Sequence, residues 1–276
     1  MSRVAVRRHL RRAPKRKRPS EPSIERADIP IHKGSFGTVG EQDEFFVRFP
    51  GYSGGAGMYQ DRDLDAGGIH IAGDAIREKA VDNLDDILGF GVVPTVVLRN
   101  YQGEAVSVQE VVKNAGSFYD VEEEVEQDVL VGVGDEDDFV DIQDIEPEDA
   151  GWRRAKRAIL QSVDKESLIK IAILDIVTGN TDRHGENLLV TNGGYAYAID
   201  HELTFHGQYI GPGDSKAWKW TQGEKTPVKV LKQMRDVDEG DFRAALAGIE
   251  DVEVDRAWSM LKALGKLDHV PRSDEF

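Results

Sequence analysis

An α+β chain in two unequal lobes, a small mostly β amino-terminal lobe followed by a larger mostly helical one, is what the 276 residues predict. Three observations carry that expectation. Glycine-punctuated, β-branched and aromatic segments crowd the first 115 residues, and apolar residues recur at helical spacing through the later half. A short hairpin, with two glycines at its turn, interrupts that helical half between Leu188 and Ile199.

Near the start of the sequence stands VRRHLRRAPKRKRPSEPS, which is polar and interrupted by proline, so that residues 1–27 read as a disordered basic arm. Nine Lys or Arg and no acid fall within residues 1–19, leaving 26 of the 35 cations against all 51 acids in the remainder. Such an arm either contacts nucleic acid or another anionic surface, or lies as a solvated tail against the acidic body. Residues 28–115 make the smaller lobe. Lys33-Gly34-Ser35-Phe36-Gly37-Thr38-Val39-Gly40 reads as a glycine-punctuated turn between β segments, and Phe45 to Phe49 as the strand after it. Asp74 to Leu88 has helical periodicity, with Asp74 as N-cap and Gly89 as stop. Gly89 to Val97 and Ser107 to Val112 read as two further strands, the second leading into a hinge.

Residues 116–150 form an acidic inter-lobe segment. Asp120 to Asp149 holds fifteen acids and no base. EF-hand spacing is absent, so the segment is read as a solvated connection, with a metal site as the alternative. In the larger lobe, 151–276, helices are expected over Trp152 to Val163, Glu166 to Val177 and Asp241 to Leu264. Trp218 and Trp220 fall in the loop region after Asp200, where they either pack the lobe or form a substrate platform.

Composition excludes whole classes of chemistry. With no cysteine there are no disulfides, no thiolate nucleophile and no Cys-based zinc site. No run approaches the ~18 apolar residues of a membrane span, and the amino terminus lacks an apolar signal core, so a soluble, cytoplasmic protein is expected.

The chemistry concentrates in TGNTDRHGENLLV, Thr178 to Val190, and in YAIDHELTF, Tyr195 to Phe205. Asn187 follows Asp182 by five residues, within reach of one short loop. Leu188 to Val190, the turn Thr191-Asn192-Gly193-Gly194 and a returning strand from Tyr195 to Ile199 bring Asp200 back beside Asn187. One acid to orient a hydroxyl and two oxygen ligands for magnesium on a phosphate are the minimal phosphotransfer set, because magnesium keeps water and phosphate oxygens for the rest of its octahedron. The alternative is that all three are ordinary turn and strand-end residues.

DRHGEN followed by AIDHELTF resembles the catalytic and metal-binding segments of phosphatidylinositol 3- and 4-kinase-like enzymes and of their bacterial protein-kinase relatives of the HipA type. A helix ending in LGxGxVPxTV and then an SVQ strand resembles the actinobacterial members of that group. The resemblance implies a protein-kinase-like two-lobed fold, ATP and Mg2+ as cofactors, and a protein or small-molecule hydroxyl as phosphoacceptor. It makes Asp182 and His184 the candidates for hydroxyl orientation or general base, and Asn187 and Asp200 those for magnesium. Arg183 becomes a structural or phosphate-contacting residue of the loop. Glu78 is the implied partner of the phosphate-binding cation, Gly34 and Gly37 belong to the nucleotide-covering turn, and Gln109 and Val111 are nucleotide-binding candidates beside the hinge. His201 stands where other kinases carry Phe or Gly, either as a polar hairpin end or as a metal ligand.

One position departs from the family pattern. Where a lysine is placed on the strand after the glycine-rich turn, this chain reads FFVRFP, with Arg48 as the cation and Lys33 as a second candidate. Arg is longer and planar, so the exchange is not conservative. Either the site works with Arg48, or nucleotide binding survives with weak catalysis, or the chain is a pseudokinase that acts through its basic arm.

Overall fold

The computed structural model describes residues 32–33, 38–42, 45–48, 72–101, 104–110, 112–130, 150–205 and 215–276. The basic arm, Gly34, Gly37 and Val111 lie outside the described residues, as does 131–149 of the acidic segment. Within them the α+β, two-lobed organisation expected from the sequence is present.

Short β-prone segments of the first lobe pair into a five-stranded antiparallel sheet. Its strands are β1 (His32–Lys33), β2 (Thr38–Gln42), β3 (Phe45–Arg48), β4 (Val96–Tyr101) and β5 (Glu104–Glu110), in the order β1-β2-β3-β5-β4. Arg48 of β3 sits opposite Ser107 of β5, and Val97 of β4 opposite Val108. Helix α1 (Ala72–Leu88) connects β3 to β4 and packs on β4 and β5. Asp74 is the third residue of this helix, not the residue before it.

The strand expected from Gly89 begins only at Val96. Gly89 and Gly91 both take left-handed backbone, φ 64° and 69°, which breaks an extended run and turns the chain back on α1. The Asp85 carboxylate closes that turn, accepting from Gly91 N–H and Val92 N–H, each at 3.1 Å.

The second lobe is built around α4 (Lys165–Thr178). Asp164 caps it by accepting from Ser167 N–H, and Gly179, φ 68°, ends it. Every residue from Ser167 to Thr178 is buried, so this mostly apolar helix is enclosed on all faces and serves as the axis of the core, its buried charges Lys170 and Asp175 paired with Glu166 and Arg183. Each fully buried Ile or Leu there contributes about 1.5–3 kcal/mol. Around it lie α3 (Ala150–Ser162), α5 (Lys216–Thr221), α6 (Val228–Asp236), α7 (Glu239–Ala245) and α8 (Asp251–Leu264). The single helix expected over 241–264 is two, because the chain turns between Leu246 and Glu250, with Gly248 at φ 97°.

A small sheet, β6 (Ala115–Ser117), β7 (Leu188–Thr191) and β8 (Ala196–Ala198), carries the expected hairpin. β6 leads directly into α2 (Phe118–Leu130), and here the solvated acidic connection needs correcting. Phe118 and Val125 are buried in the core, and so is Glu122, within 3.3 Å of Lys216 Nζ and accepting from Trp220 Nε1–H at 2.8 Å. The apolar face of the helix offsets its charge density, since Glu122, turned inward, finds a cation and an indole there. The lobes are joined at α1, where Asn83 Nδ2 donates to the Ala245 carbonyl and the Gly89 carbonyl accepts from Gln233 Nε2.

Candidate active site

The loop after α4 is shaped by its own polar side chains. Asn180 is fully buried; its Oδ1 accepts from Asp182 N–H at 2.8 Å. Next, His184 Nδ1 accepts from Glu186 N–H at 3.2 Å, capping a single 3-10 turn, Gly185–Asn187. Asn187 then reaches back: its Nδ2 donates to the Asp182 carbonyl at 2.9 Å and lies 3.1 Å from His184 Nε2. The five-residue spacing between Asp182 and Asn187 therefore closes on itself through the Asn187 amide nitrogen. The Asp182 carboxylate lies 4.0 Å from His184 Nε2 and is partly exposed.

Tyr119, at the start of α2, stacks on the His184 ring with centroids 6.5 Å apart and lies directly over Gly185. A Cβ at position 185 would meet Tyr119 Cδ1 and Cγ at 2.7 Å. Ser117 Oγ donates to the Gly185 carbonyl at 3.0 Å, so the β6–α2 junction clamps the loop from outside.

The β7–β8 hairpin delivers the second acid. Ile199 N–H donates to the Asn187 carbonyl at 3.0 Å, which sets Asp200 beside Asn187. Asp200 itself has φ 59°, left-handed backbone that costs a non-glycine residue on the order of 1 kcal/mol. Surrounding hydrogen bonds hold it there.

Most of them come from Arg183, whose side chain is wholly buried. Its Nε pairs with Asp175 Oδ1 of α4 at 3.2 Å; Nη1 donates to the carbonyls of Asn187, at 2.9 Å, and Ile199, with Asp200 at 3.5 Å; and Nη2 lies 2.8 Å from His201 Nδ1. Ser215 Oγ donates to the other Asp175 oxygen at 2.7 Å, and Lys216 N–H to the Arg183 carbonyl at 2.9 Å. Burial raises the Asp175 carboxyl above its ordinary value, opposed by the Arg183 charge and the Ser215 hydroxyl. The Arg183 guanidinium has no exposed surface, and its donors face a carboxylate, backbone carbonyls and the His201 ring. His201 is likewise inside, 1% exposed, with Nε2 3.3 Å from the Ala198 carbonyl.

Glu78, buried on α1, reaches the same turn: its Oε1 accepts from His201 N–H at 2.6 Å, while Arg77 donates to the Glu202 carbonyl. The expected amino-terminal acid is thus brought to the residue after Asp200. Arg48 is on β3 by its backbone register, next to Ser107; its side chain lies outside the description. Gln109 is on β5 opposite Phe46 and Val96, and its Nε2 is buried without a hydrogen-bond partner among the described residues. Trp218 and Trp220 sit on α5. Trp220 is fully buried against Trp152, with centroids 6.1 Å apart, so it packs the lobe.

Asp175, Ser215, Lys216 and Tyr119 escaped the sequence reading. The helical spacing of Phe118, Val121 and Val125 was a signal for α2, but nothing local marks Asp175 as the partner of an arginine eight residues on.

With this geometry in view, the comparisons with known proteins fall into place. Residues 146–244 match the family model described as phosphatidylinositol 3- and 4-kinase. The resemblance carried by DRHGEN and AIDHELTF is thereby shown: the chain is similar to kinases of this group, and phosphotransferase-type chemistry is the class that the match supports. Among solved structures, the chain is similar to the Helicobacter pylori proinflammatory kinase CtkA at 13% identity, over 88% of this chain and 94% of that one, with a TM-score of 0.49. HipA of the Shewanella oneidensis MR-1 toxin–antitoxin complex with HipB and operator DNA is similar at 14% identity, over 80% and 57%, with a TM-score of 0.41. The CtTel1 dimer is similar at 14% identity, over 86% of this chain and 11% of that one, with a TM-score of 0.36. No curated protein sequence matches the chain.

Proposed function

We propose that the chain is an ATP- and Mg2+-dependent kinase that transfers the γ-phosphoryl group to the hydroxyl of a protein or small molecule in the cytoplasm. The observation that carries this reading is the gathering of three residues at one loop: Asn187 Nδ2 donates to the Asp182 carbonyl, and the buried Arg183 holds the backbone carbonyls of Asn187 and Asp200. On this reading the Asn187 amide oxygen and the Asp200 carboxylate are assigned to the metal. Two hard oxygen donors of this kind fit magnesium, which takes its remaining ligands from phosphate and water. When bound, the ion neutralises charge on the phosphate oxygens.

The chain's own residues supply the rest. Asp182 orients the acceptor hydroxyl and receives its proton as the oxygen attacks phosphorus and ADP leaves. It suits that task better than His184, whose Nδ1 lone pair already accepts from Glu186 N–H and whose Nε2 then carries the ring proton. Arg48, steadied by Glu78, meets the phosphates from the β lobe under the turn bearing Gly34 and Gly37, and Gln109 and Val111 flank the nucleotide. Residues 1–19 supply a contact for nucleic acid or another anionic partner. Among the described residues no helix is long and apolar enough to cross a membrane.

A second reading, a catalytically weak nucleotide-binding or assembly protein, is favoured by arginine at position 48 alone. Incubation with γ-labelled ATP and magnesium, first of the chain by itself and then with cell extract, separates them. Transfer of label that is lost in Asp182→Asn supports the kinase; nucleotide binding without any transfer supports the second reading.

A further inference from the structure

We infer that His201 is a positioning residue of the metal site, its imidazole accepting a hydrogen bond from Arg183 and so locking the catalytic loop to the turn that carries Asp200. The inference rests on the kinase reading and deepens it.

All four polar groups of His201 are engaged. Its N–H donates to Glu78 Oε1 at 2.6 Å, its carbonyl accepts from Thr204 Oγ1 at 2.8 Å, Nδ1 lies 2.8 Å from Arg183 Nη2, and Nε2 3.3 Å from the Ala198 carbonyl. A guanidinium only donates and a carbonyl only accepts, so these neighbours allow one neutral tautomer, with the lone pair on Nδ1 and the proton on Nε2. The same guanidinium holds the carbonyls of Asn187 and Ile199. Three elements therefore meet at one residue: the catalytic loop through Arg183 and β8 through Ala198 at the ring, and α1 through Glu78 at the backbone N–H.

The buried ring acts through these partners and not on a ligand. Without the Nδ1 acceptor, one Arg183 N–H is left buried and unpaired, and the guanidinium is free to rotate away from the backbone on which both metal positions depend. Phenylalanine at 201 keeps the bulk and loses the acceptor, whereas asparagine offers Oδ1 near the place of Nδ1. The consequence falls on metal affinity more than on folding.

The test is Mn2+ binding in the presence of ATP, by electron paramagnetic resonance, for the full chain and its His201→Phe, His201→Asn and Asp200→Asn variants, with melting temperatures recorded alongside. Expected are a loss of about tenfold or more in Mn2+ affinity for His201→Phe and a loss within about threefold for His201→Asn. If Asp200→Asn binds Mn2+ like the native chain, the metal-site reading itself fails. If Asp200→Asn loses Mn2+ while His201→Phe binds normally, or His201→Asn is as impaired as His201→Phe, the role of His201 is overturned. Ring 15N spectra of the native chain, with the signal assigned by its loss in His201→Asn, decide the matter even where His201→Phe does not fold: protonated Nε2 with bare Nδ1 supports the inference, and protonated Nδ1 overturns it.

Discussion

Replacing Arg183 by methionine removes the frame of the proposed site while keeping most of its volume. The side chain is wholly buried and its charge is paired with Asp175, itself 2% exposed. Taking away one partner of such a pair leaves an uncompensated buried carboxylate, which costs about 3–5 kcal/mol. For a chain of this size that lowers Tm by on the order of 10 °C. The loss also depends on pH. Burial already raises the Asp175 carboxyl above its ordinary value, and without Arg183 nothing but the Ser215 hydroxyl opposes that rise. An acid whose folded pKa is raised penalises the fold when ionised, so the deficit of Arg183→Met is full above the folded value and shrinks as pH falls toward the ordinary carboxylate range. Adding Asp175→Asn removes the stranded charge and recovers at least about 1.5 kcal/mol. Urea unfolding of the native chain, both single variants and the double variant at two pH values measures all of this. A deficit below about 1 kcal/mol, or a double variant no more stable than Arg183→Met, would refute the reasoning.

Three further outcomes are expected. Gly185→Ala drives a methyl into Tyr119, costing about 1–3 kcal/mol in stability and, by displacing the loop, about 10²-fold in turnover; adding Tyr119→Ala restores stability, which unfolding and turnover assays on the pair check. Glu122→Gln keeps an acceptor for Trp220 Nε1–H and strands Lys216, lowering stability by about 2–4 kcal/mol in urea unfolding, although a solvated acid would lose nothing measurable. His269 has its pKa raised above 6.5 by Asp268 first and Glu275 second, so its grip on the last turn, Ser273–Glu275, is complete below 6.5 and lost as pH rises through the raised value; NMR should show that turn loosening, with no such step in His269→Gln.

What the sequence disclosed followed from local chemistry. Asp182, Asn187 and the glycine-bearing turn before Asp200 are close in the chain, so spacing sufficed to place them in one loop and hairpin. Gly89 was legible as a helix stop because only its backbone conformation was at stake. Pairings across many residues were not legible. Glu122 lies in a run of acids that reads as solvated, and its partner Lys216 is 94 residues away. In the sequence Arg183 is open to a structural or a phosphate-contacting role, and its pairing with Asp175 of α4 is visible only once the helix packs beneath the loop. Gly248 split an apparently continuous helical pattern because periodicity does not register a single left-handed residue.

The most direct measurement is the melting temperature of the native chain with ATP, with and without magnesium, beside Asp200→Asn. Ligand at about 100 times its Kd contributes about 2.7 kcal/mol, or a rise of roughly 5–10 °C. The account predicts that rise for the native chain with ATP and magnesium together, a smaller one without magnesium, and none of the magnesium-dependent part in Asp200→Asn. No nucleotide-dependent stabilisation of the native chain, or an equal magnesium-dependent rise in Asp200→Asn, would contradict it.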